Sequence, residues 1–237
     1  MSAQQNYSSL NEYPITQKWP ATNPDVIQLY SYPTPNGVKI SIALEELGLE
    51  YEPHLIGLSG DVRTPEFLSL NPNNKIPAII DPNGPDGKPL ALFESGAILL
   101  YLAEKAGQLL GSSAAERAAI IQWVFFQVGG LGPMTGQLGF FHAYGGKEIE
   151  DPRPRERYYS EVKRLLNVVD QQVANQEWIT GEFSIADIAI GPWLRAITHS
   201  YKAADEVEFA SFKNVVAYVE RFVQRPAVEK GLNIPAT

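Results

Sequence analysis

The patterning of apolar residues changes once along the chain, near residue 108, and this change limits the fold more than any other feature. Before it, short β-branched and aromatic runs alternate with helical segments. Residues 25–32 read as a strand stopped by Pro33 and Pro35. Asn36 sits where a helix is capped. Val38, Ile40, Ile42, Ala43, Leu44 and Leu47 then give that helix an apolar face that runs to Gly48, a stop signal. Residues 51–56 read as a second strand, and Pro53, which has no N–H to donate, suits an edge position. Parallel pairing of the two strands across the helix makes a right-handed βαβ unit. Thr64 followed by Pro65 opens a short helix. Residues 78–81 and 90–93 are two strands separated by Asn83-Gly84 and Asp86-Gly87, a hairpin signal. Residues 95–106 form a helix.

Residues 107–113 are a small, polar break, and strand patterns cease beyond it. Residues 114 to about 128 are helical, after which Gly129, Gly130, Gly132, Pro133 and Gly136 interrupt or kink the apolar run. Residues 153–175 make a long amphipathic helix with Val162, Leu165, Leu166, Val169 and Val173 on one face. Two shorter helices follow, near 185–197 and 212–224, the first announced by a Ser184-x-x-Asp187 capping box. The expected architecture is an α/β thioredoxin-like domain over 25–107, of order β-α-β-α-β-β-α, and an all-helical domain over 114–237. A polar arm over 1–24 precedes them.

Composition restricts the chemistry. The net charge is −8, from 19 basic and 27 acidic residues, which disfavours nucleic acid or an anionic membrane as partner. No apolar run approaches the roughly 18 residues of a spanning helix. The N-terminus lacks the basic start and apolar centre of a signal peptide, so the expected location is cytoplasmic. Cysteine is absent, which excludes disulfides, thiolate metal sites and catalysis by a protein thiol. His54, His142 and His199 show no metal-ligand spacing, and no metal is expected. Any sulfur chemistry must use sulfur carried by a ligand.

Two short motifs bear on such a ligand. In Asn73-Asn74-Lys75-Ile76-Pro77-Ala78 a proline stands at a strand entrance, where an X-Pro bond adopts the cis form for only about 0.5–1 kcal/mol. A cis bond turns the Ile76 N–H and C=O outward, able to pair with an extended peptide as one added rung of sheet. In Phe93-Glu94-Ser95-Gly96 a strand hands over to a helix. Free N–H groups, the helix dipole and the Ser95 hydroxyl there favour a carboxylate, and Glu94 favours an ammonium. A γ-glutamyl group carries both on one carbon. Each motif alone also has a plain structural reading, as a turn proline and as an N-cap.

Together, with the hairpin between them, these motifs resemble the glutathione site of the cytosolic glutathione transferases. More narrowly the chain is similar to the bacterial nu class, relatives of the yeast prion-forming nitrogen regulator. The resemblance rests on Tyr32-Pro33-Thr34-Pro35-Asn36-Gly37, Asn71 to Ala78, Gln127-Val128-Gly129-Gly130-Leu131-Gly132-Pro133-Met134 and Arg157-Tyr158. It implies a homodimeric, glutathione-dependent transferase that reduces disulfides, with reduced or oxidised glutathione as substrate and a small disulfide or electrophile as co-substrate. The binding residues it implies are Asn36, Lys75, Ile76, Pro77, Glu94 and Ser95, with Arg157 reaching glutathione across the dimer interface.

At the start of the first helix, the Thr34 hydroxyl, the Asn36 amide and the helix N-terminus are the available donors for a glutathione thiolate. Thr34 and Asn36 are therefore the expected catalytic residues, with Ser31 and Tyr32 as nearby competitors. The chain departs from the family at Val62, where relatives carry Gln or His near the glycine end of glutathione. Two other functions fit the same fold: a glutathione-binding regulator, or a carrier of apolar compounds whose pocket is lined by Trp123, Phe125, Phe126, Phe140 and Phe141.

Overall fold

The computed structural model describes residues 7–236. Its contacts divide the chain into two units, one running to Ala106 and resuming at Lys230, the other spanning Gly107–Glu229.

The first unit is built on a mixed four-stranded sheet of order β2-β1-β3-β4, with β1 at Ile27–Ser31, β2 at Tyr51–Leu55, β3 at Ala78–Asp81 and β4 at Leu90–Phe93. Strand β1 pairs in parallel with β2, Ile27 opposite Tyr51, and antiparallel with β3, Tyr30 opposite Ala78. Strands β3 and β4 form the expected hairpin. Its helices are α1 (Ile15–Lys18), α2 (Gly37–Leu47), α3 (Pro65–Leu70) and α4 (Ser95–Ala106). Helix α2 stops at Gly48, whose φ of 62° is the left-handed conformation that glycine adopts without penalty. Strand β1 is buried throughout, so its alternating side chains serve both faces. Tyr30, Ala78 and Ile80 join Ile56, Val62, Phe67 and Leu70 in one apolar layer. Leu29 and Ile79, paired across the sheet, point to the other face. Helices α2 and α4 pack together there and bury Ile40, Leu44, Ile98 and Leu102.

Residues 1–6 of the expected polar arm lie outside the described residues. The rest of the segment is not an arm. Leu10, Tyr13 and Ile15 are buried in the same layer as Tyr30 and Phe67, with Trp19 packed against it. Lys18 adds an ion pair with Asp61 at 2.8 Å. Four apolar side chains dispersed among polar residues and prolines suffice to anchor a short helix on a pre-existing apolar surface. The C-terminus also departs from the expected 114–237 domain, because the chain from Lys230 onward belongs to the first unit. The Ser41 hydroxyl donates to the Gly231 carbonyl at 2.6 Å, and Lys230 pairs with Glu45 at 2.8 Å.

The second unit is helical: α5 (Ala114–Phe126), α6 (Gly132–Ala143), α7 (Arg153–Gln172), α8 (Ile185–His199) and α9 (Lys213–Val223), followed by α10 (Pro226–Gly231), which ends in the first unit. The glycine-rich segment does not interrupt the helical path. Gln127–Leu131 forms a wide π-helical turn joining α5 to α6, and Pro133 follows directly as the second residue of α6. Helix α7 buries the expected Val162, Leu165, Leu166 and Val169. At the start of α8, the Ser184 hydroxyl accepts from the Ala186 N–H at 3.2 Å, while Asp187 accepts from the Ser184 N–H at 2.9 Å. Asp187 is fully buried and also accepts from the Ile179 N–H and the Tyr218 hydroxyl. Burial nonetheless pushes its pKa up to about 6, against the pull of these hydrogen bonds. Among the described residues, no helix is long and apolar enough to cross a membrane.

Candidate functional site

Where β1 turns into α2, the chain is held by unusually close packing. The Thr34 hydroxyl oxygen accepts from the Gly37 N–H at 3.2 Å, and its carbonyl accepts from the Val38 N–H at 3.0 Å. Thr34 is therefore the cap of α2. Asn36, expected in that role, has helical backbone angles and makes no side-chain cap bond. Its Oδ1 instead accepts from the Lys39 ammonium at 2.8 Å. Gly37 is required by proximity: a Cβ there would stand 1.9 Å from the Tyr32 carbonyl oxygen and 2.6 Å from Ser31 Oγ.

The loop before β3 is shaped by Asn71, which is buried. Its Nδ2 donates to the Lys75 carbonyl at 2.5 Å, and its Oδ1 accepts from the Asn73 N–H at 2.9 Å. Asn74 turns the chain with a φ of 60°, a conformation that asparagine tolerates better than most residues. The Ile76-Pro77 bond is cis.

Between β4 and α4, Glu94 takes a φ of 72°, uncommon for a residue with a long side chain. Its carbonyl accepts from the Ile98 N–H at 2.9 Å, the first bond of α4. The N–H groups of the first turn thus have no acceptor within the helix. Glu94 is exposed while Ser95 is buried beside it.

These three turns meet around two adjoining cavities of about 250 Å³ each. One is lined by Glu94, Ser95, Pro77 and Asn73, and the other by Thr34, Val62, Leu58 and Asn74; Asn36, Lys75 and Ile76 line both. The first cavity combines a carboxylate, a hydroxyl and a helix N-terminus, the groups that match an ammonium beside a carboxylate. Asn36 stands at the junction, and the second cavity adds the Thr34 hydroxyl and apolar Val62 and Leu58. Ser31 and Tyr32 line neither cavity, and Ser31 is fully buried. Asp61, beside Val62, is engaged by Lys18 and by the Gly57 N–H at 2.9 Å. Arg157 is exposed on α7, in the second unit, and lines neither cavity.

Sequence reasoning passed over Lys39. It is fully buried on α2, and its ammonium donates both to Asn36 Oδ1 and to Ser95 Oγ, the latter at 3.2 Å. Burial pulls its pKa down to about 7, and the Glu94 carboxylate works in the opposite direction. The signal was available: Lys39 lies three residues after Asn36, on the same helix face, within a run of otherwise apolar or small residues.

Residues 25–104 match the model of the glutathione S-transferase N-terminal domain, and residues 141–226 that of its C-terminal domain. The chain is 47% identical to the disulfide-bond oxidoreductase YfcG of Escherichia coli over 210 residues, 87% of this chain and 94% of that protein. A glutathione transferase of Burkholderia graminis, crystallised with two glutathione molecules per subunit, superposes with a TM-score of 0.95 at 60% identity, covering 98% of each chain. A glutathione transferase of Pseudomonas putida with one glutathione disulfide per subunit gives 0.95 at 57% identity, covering 96% of this chain and 99% of that one.

Proposed function

The chain belongs to the glutathione S-transferase family, and from that premise we propose that it is a glutathione-dependent disulfide reductase whose site is the pair of cavities joined at Asn36. The observation that carries the reading is the sharing of Asn36, Lys75 and Ile76 between a cavity suited to a γ-glutamyl group and a second one of equal size. In this reading Glu94 takes the ammonium of glutathione, and Ser95 with the N-terminus of α4 takes the carboxylate. Ile76 pairs its backbone with the cysteinyl residue next to Pro77, and Lys75 closes the same wall. The sulfur then falls at the junction, where the Thr34 hydroxyl and the Asn36 amide orient it.

The reaction needs no protein thiol, and the chain has none. A glutathione thiolate attacks one sulfur of the co-substrate disulfide along the S–S axis. The S–S bond breaks, a mixed disulfide forms, and the other sulfur leaves as a thiolate that takes up a proton. A second glutathione attacks the glutathione sulfur of the mixed disulfide, giving glutathione disulfide and the second thiol. Two glutathiones are oxidised for each disulfide reduced. Bound states reported for the structural relatives, two glutathiones in one and a glutathione disulfide in the other, are the two ends of that sequence. A free thiol of pKa about 8.5 is only a few per cent ionised at neutral pH; lowering it at the junction is the protein's main contribution to rate.

The active form in this reading is a homodimer in the cytoplasm, in which Arg157, exposed on α7, reaches glutathione bound to the other subunit. The domain limits of 25–107 and 114–229 follow the helical break at 107–113, with the terminal segments completing the first domain.

The test is glutathione-dependent reduction of a small dialkyl disulfide, run beside conjugation of a chloronitroaromatic. Reduction is expected to dominate, and Thr34→Ala/Asn36→Ala to lose most of it. Full turnover by that double variant would refute the assignment of the sulfur end. Glutathione binding without turnover in either assay would refute the enzyme reading in favour of a regulator or carrier.

A further inference from the structure

Of the charged groups around the site, Lys39 is the one that the reaction as described leaves without a role, and its placement is costly. An ammonium fully removed from water must be compensated by hydrogen bonds and counter-charge. Lys39 gains Asn36 Oδ1 at 2.8 Å, Ser95 Oγ at 3.2 Å and the field of the Glu94 carboxylate. Two of these three residues are the ones assigned above to the thiolate and the γ-glutamyl carboxylate of glutathione, and the third is assigned to its amine.

In its protonated form, which prevails below its pKa of about 7, Lys39 has three donors and no acceptor. Facing it, the Asn36 amide must present its oxygen and the Ser95 hydroxyl a lone pair. The planar amide then directs Nδ2 away from Lys39, and the Ser95 hydrogen is turned away from the ammonium as well. Both side chains, either of which can donate or accept elsewhere, are thereby set as donors toward the cavities they line. Donors are what a thiolate and a carboxylate require. We propose that Lys39 is the positioning residue of the site, a buried cation that fixes the Asn36 amide and the Ser95 hydroxyl as donors to the sulfur and the γ-glutamyl carboxylate of glutathione. This rests on the functional reading above and adds to it the source of the positive potential at the sulfur. Lys39 itself is buried behind both side chains and touches neither reacting atom.

Ultraviolet titration of the thiolate of bound glutathione tests this, with affinity measured by calorimetry. Lys39→Met keeps the length of the stem and removes the donors and the charge. It is expected to raise the pKa of the bound thiol by about one unit, the low end of what a nearby charge does, and to weaken glutathione binding about tenfold. In an Asn36→Ala background the same substitution is expected to move the thiol by less than half as much, because the residue through which Lys39 acts is gone. A purely structural lysine would lower thermal stability and leave the thiol titration of the folded fraction where it was. Lys39→Gln, which retains N–H donation without charge, is the second variant should Lys39→Met fail to fold, and its thiol shift is expected to be smaller. Wild-type protein that binds no glutathione overturns the functional reading and this inference together. Wild-type binding with an unchanged thiol pKa in the Lys39 variants, or equal shifts with and without Asn36, overturns this inference alone.

Discussion

Gly37→Ala places one methyl group where the structure has no room for it. The added carbon would lie 1.9 Å from the Tyr32 carbonyl oxygen and 2.6 Å from Ser31 Oγ, far inside the roughly 3.5 Å at which nonbonded heavy atoms settle. The carbonyl belongs to backbone in the turn itself, and Ser31 is fully buried, so neither yields by a side-chain rotation into solvent. Relief must come from moving the 32–36 turn away from α2. That breaks the cap, in which the Gly37 N–H reaches Thr34 Oγ1 and the Val38 N–H reaches the Thr34 carbonyl.

Losing an N-cap costs about 1 kcal/mol, and forcing an extra carbon into a packed site adds roughly 1–3 kcal/mol. The expected loss of stability is therefore roughly 2–4 kcal/mol by urea denaturation. The same movement displaces Thr34 and Asn36 together. A misplacement on the order of 1 Å at a reacting centre is worth about a hundredfold in rate, so disulfide reduction by the folded fraction should fall by about that factor.

The other end of α2 supplies the control. Gly48 has a φ of 62° but nothing within 4 Å of where its Cβ would be, so Gly48→Ala should cost about 1–2 kcal/mol for the left-handed backbone and leave turnover unchanged. A Gly37→Ala protein as active and stable as wild type, or a Gly48→Ala protein that loses activity to the same degree, would refute this reasoning.

Other outcomes follow from the helical unit. Ser184→Ala removes the cap of α8 and should cost about 0.5–2 kcal/mol, with glutathione affinity of the folded protein intact by calorimetry; loss of affinity at unchanged stability would contradict a purely structural cap. Asp187 has a folded pKa raised to about 6 from 3.8, so the unfolded chain releases its proton first as pH rises. The native state therefore loses stability between about pH 4 and 6, by about 3 kcal/mol for a two-unit shift. Asp187→Asn cannot titrate, so the stability advantage of wild type over it should shrink across that window, measured by denaturant unfolding at each pH; a constant gap would show that the carboxyl is not shifted. Arg157→Ala, at an exposed position, should weaken glutathione binding up to about tenfold with no change in stability, and unchanged affinity would remove Arg157 from the site.

Elements with a complete local signal were legible in the sequence. Strands β3 and β4 and helix α4 lie where their turn residues and apolar periods put them, because a hairpin and a capped helix are specified by residues close in the chain. The cavities around Lys75, Ile76, Glu94 and Ser95 follow from those elements. What was not legible depends on distant contacts. Leu10, Tyr13 and Ile15 acquire a partner only once β1, β3 and α3 have made an apolar face. The glycines from 129 to 136 read as breakers, yet Gly129 and Gly130 lie within a π-helical turn, and Gly132 and Gly136 lie within α6 against Trp193. Lys39, marked only by its place in an apolar run, meets Ser95 once α2 is set beside the start of α4, and Asn36 reads as a cap until that lysine claims its oxygen.

The return of the chain at Lys230 onto Glu45 and Ser41 has a consequence for how the protein is made. Its first unit is discontinuous in sequence, with the helical unit lying between its two segments. As the chain leaves the ribosome, the sheet and its helices emerge before the strip around Gly231 that covers Ile42, with the whole helical unit synthesised in between. Domains ordinarily fold as they emerge; the first unit gains the contact between Gly231 and Ile42 only after the intervening helical unit has been made.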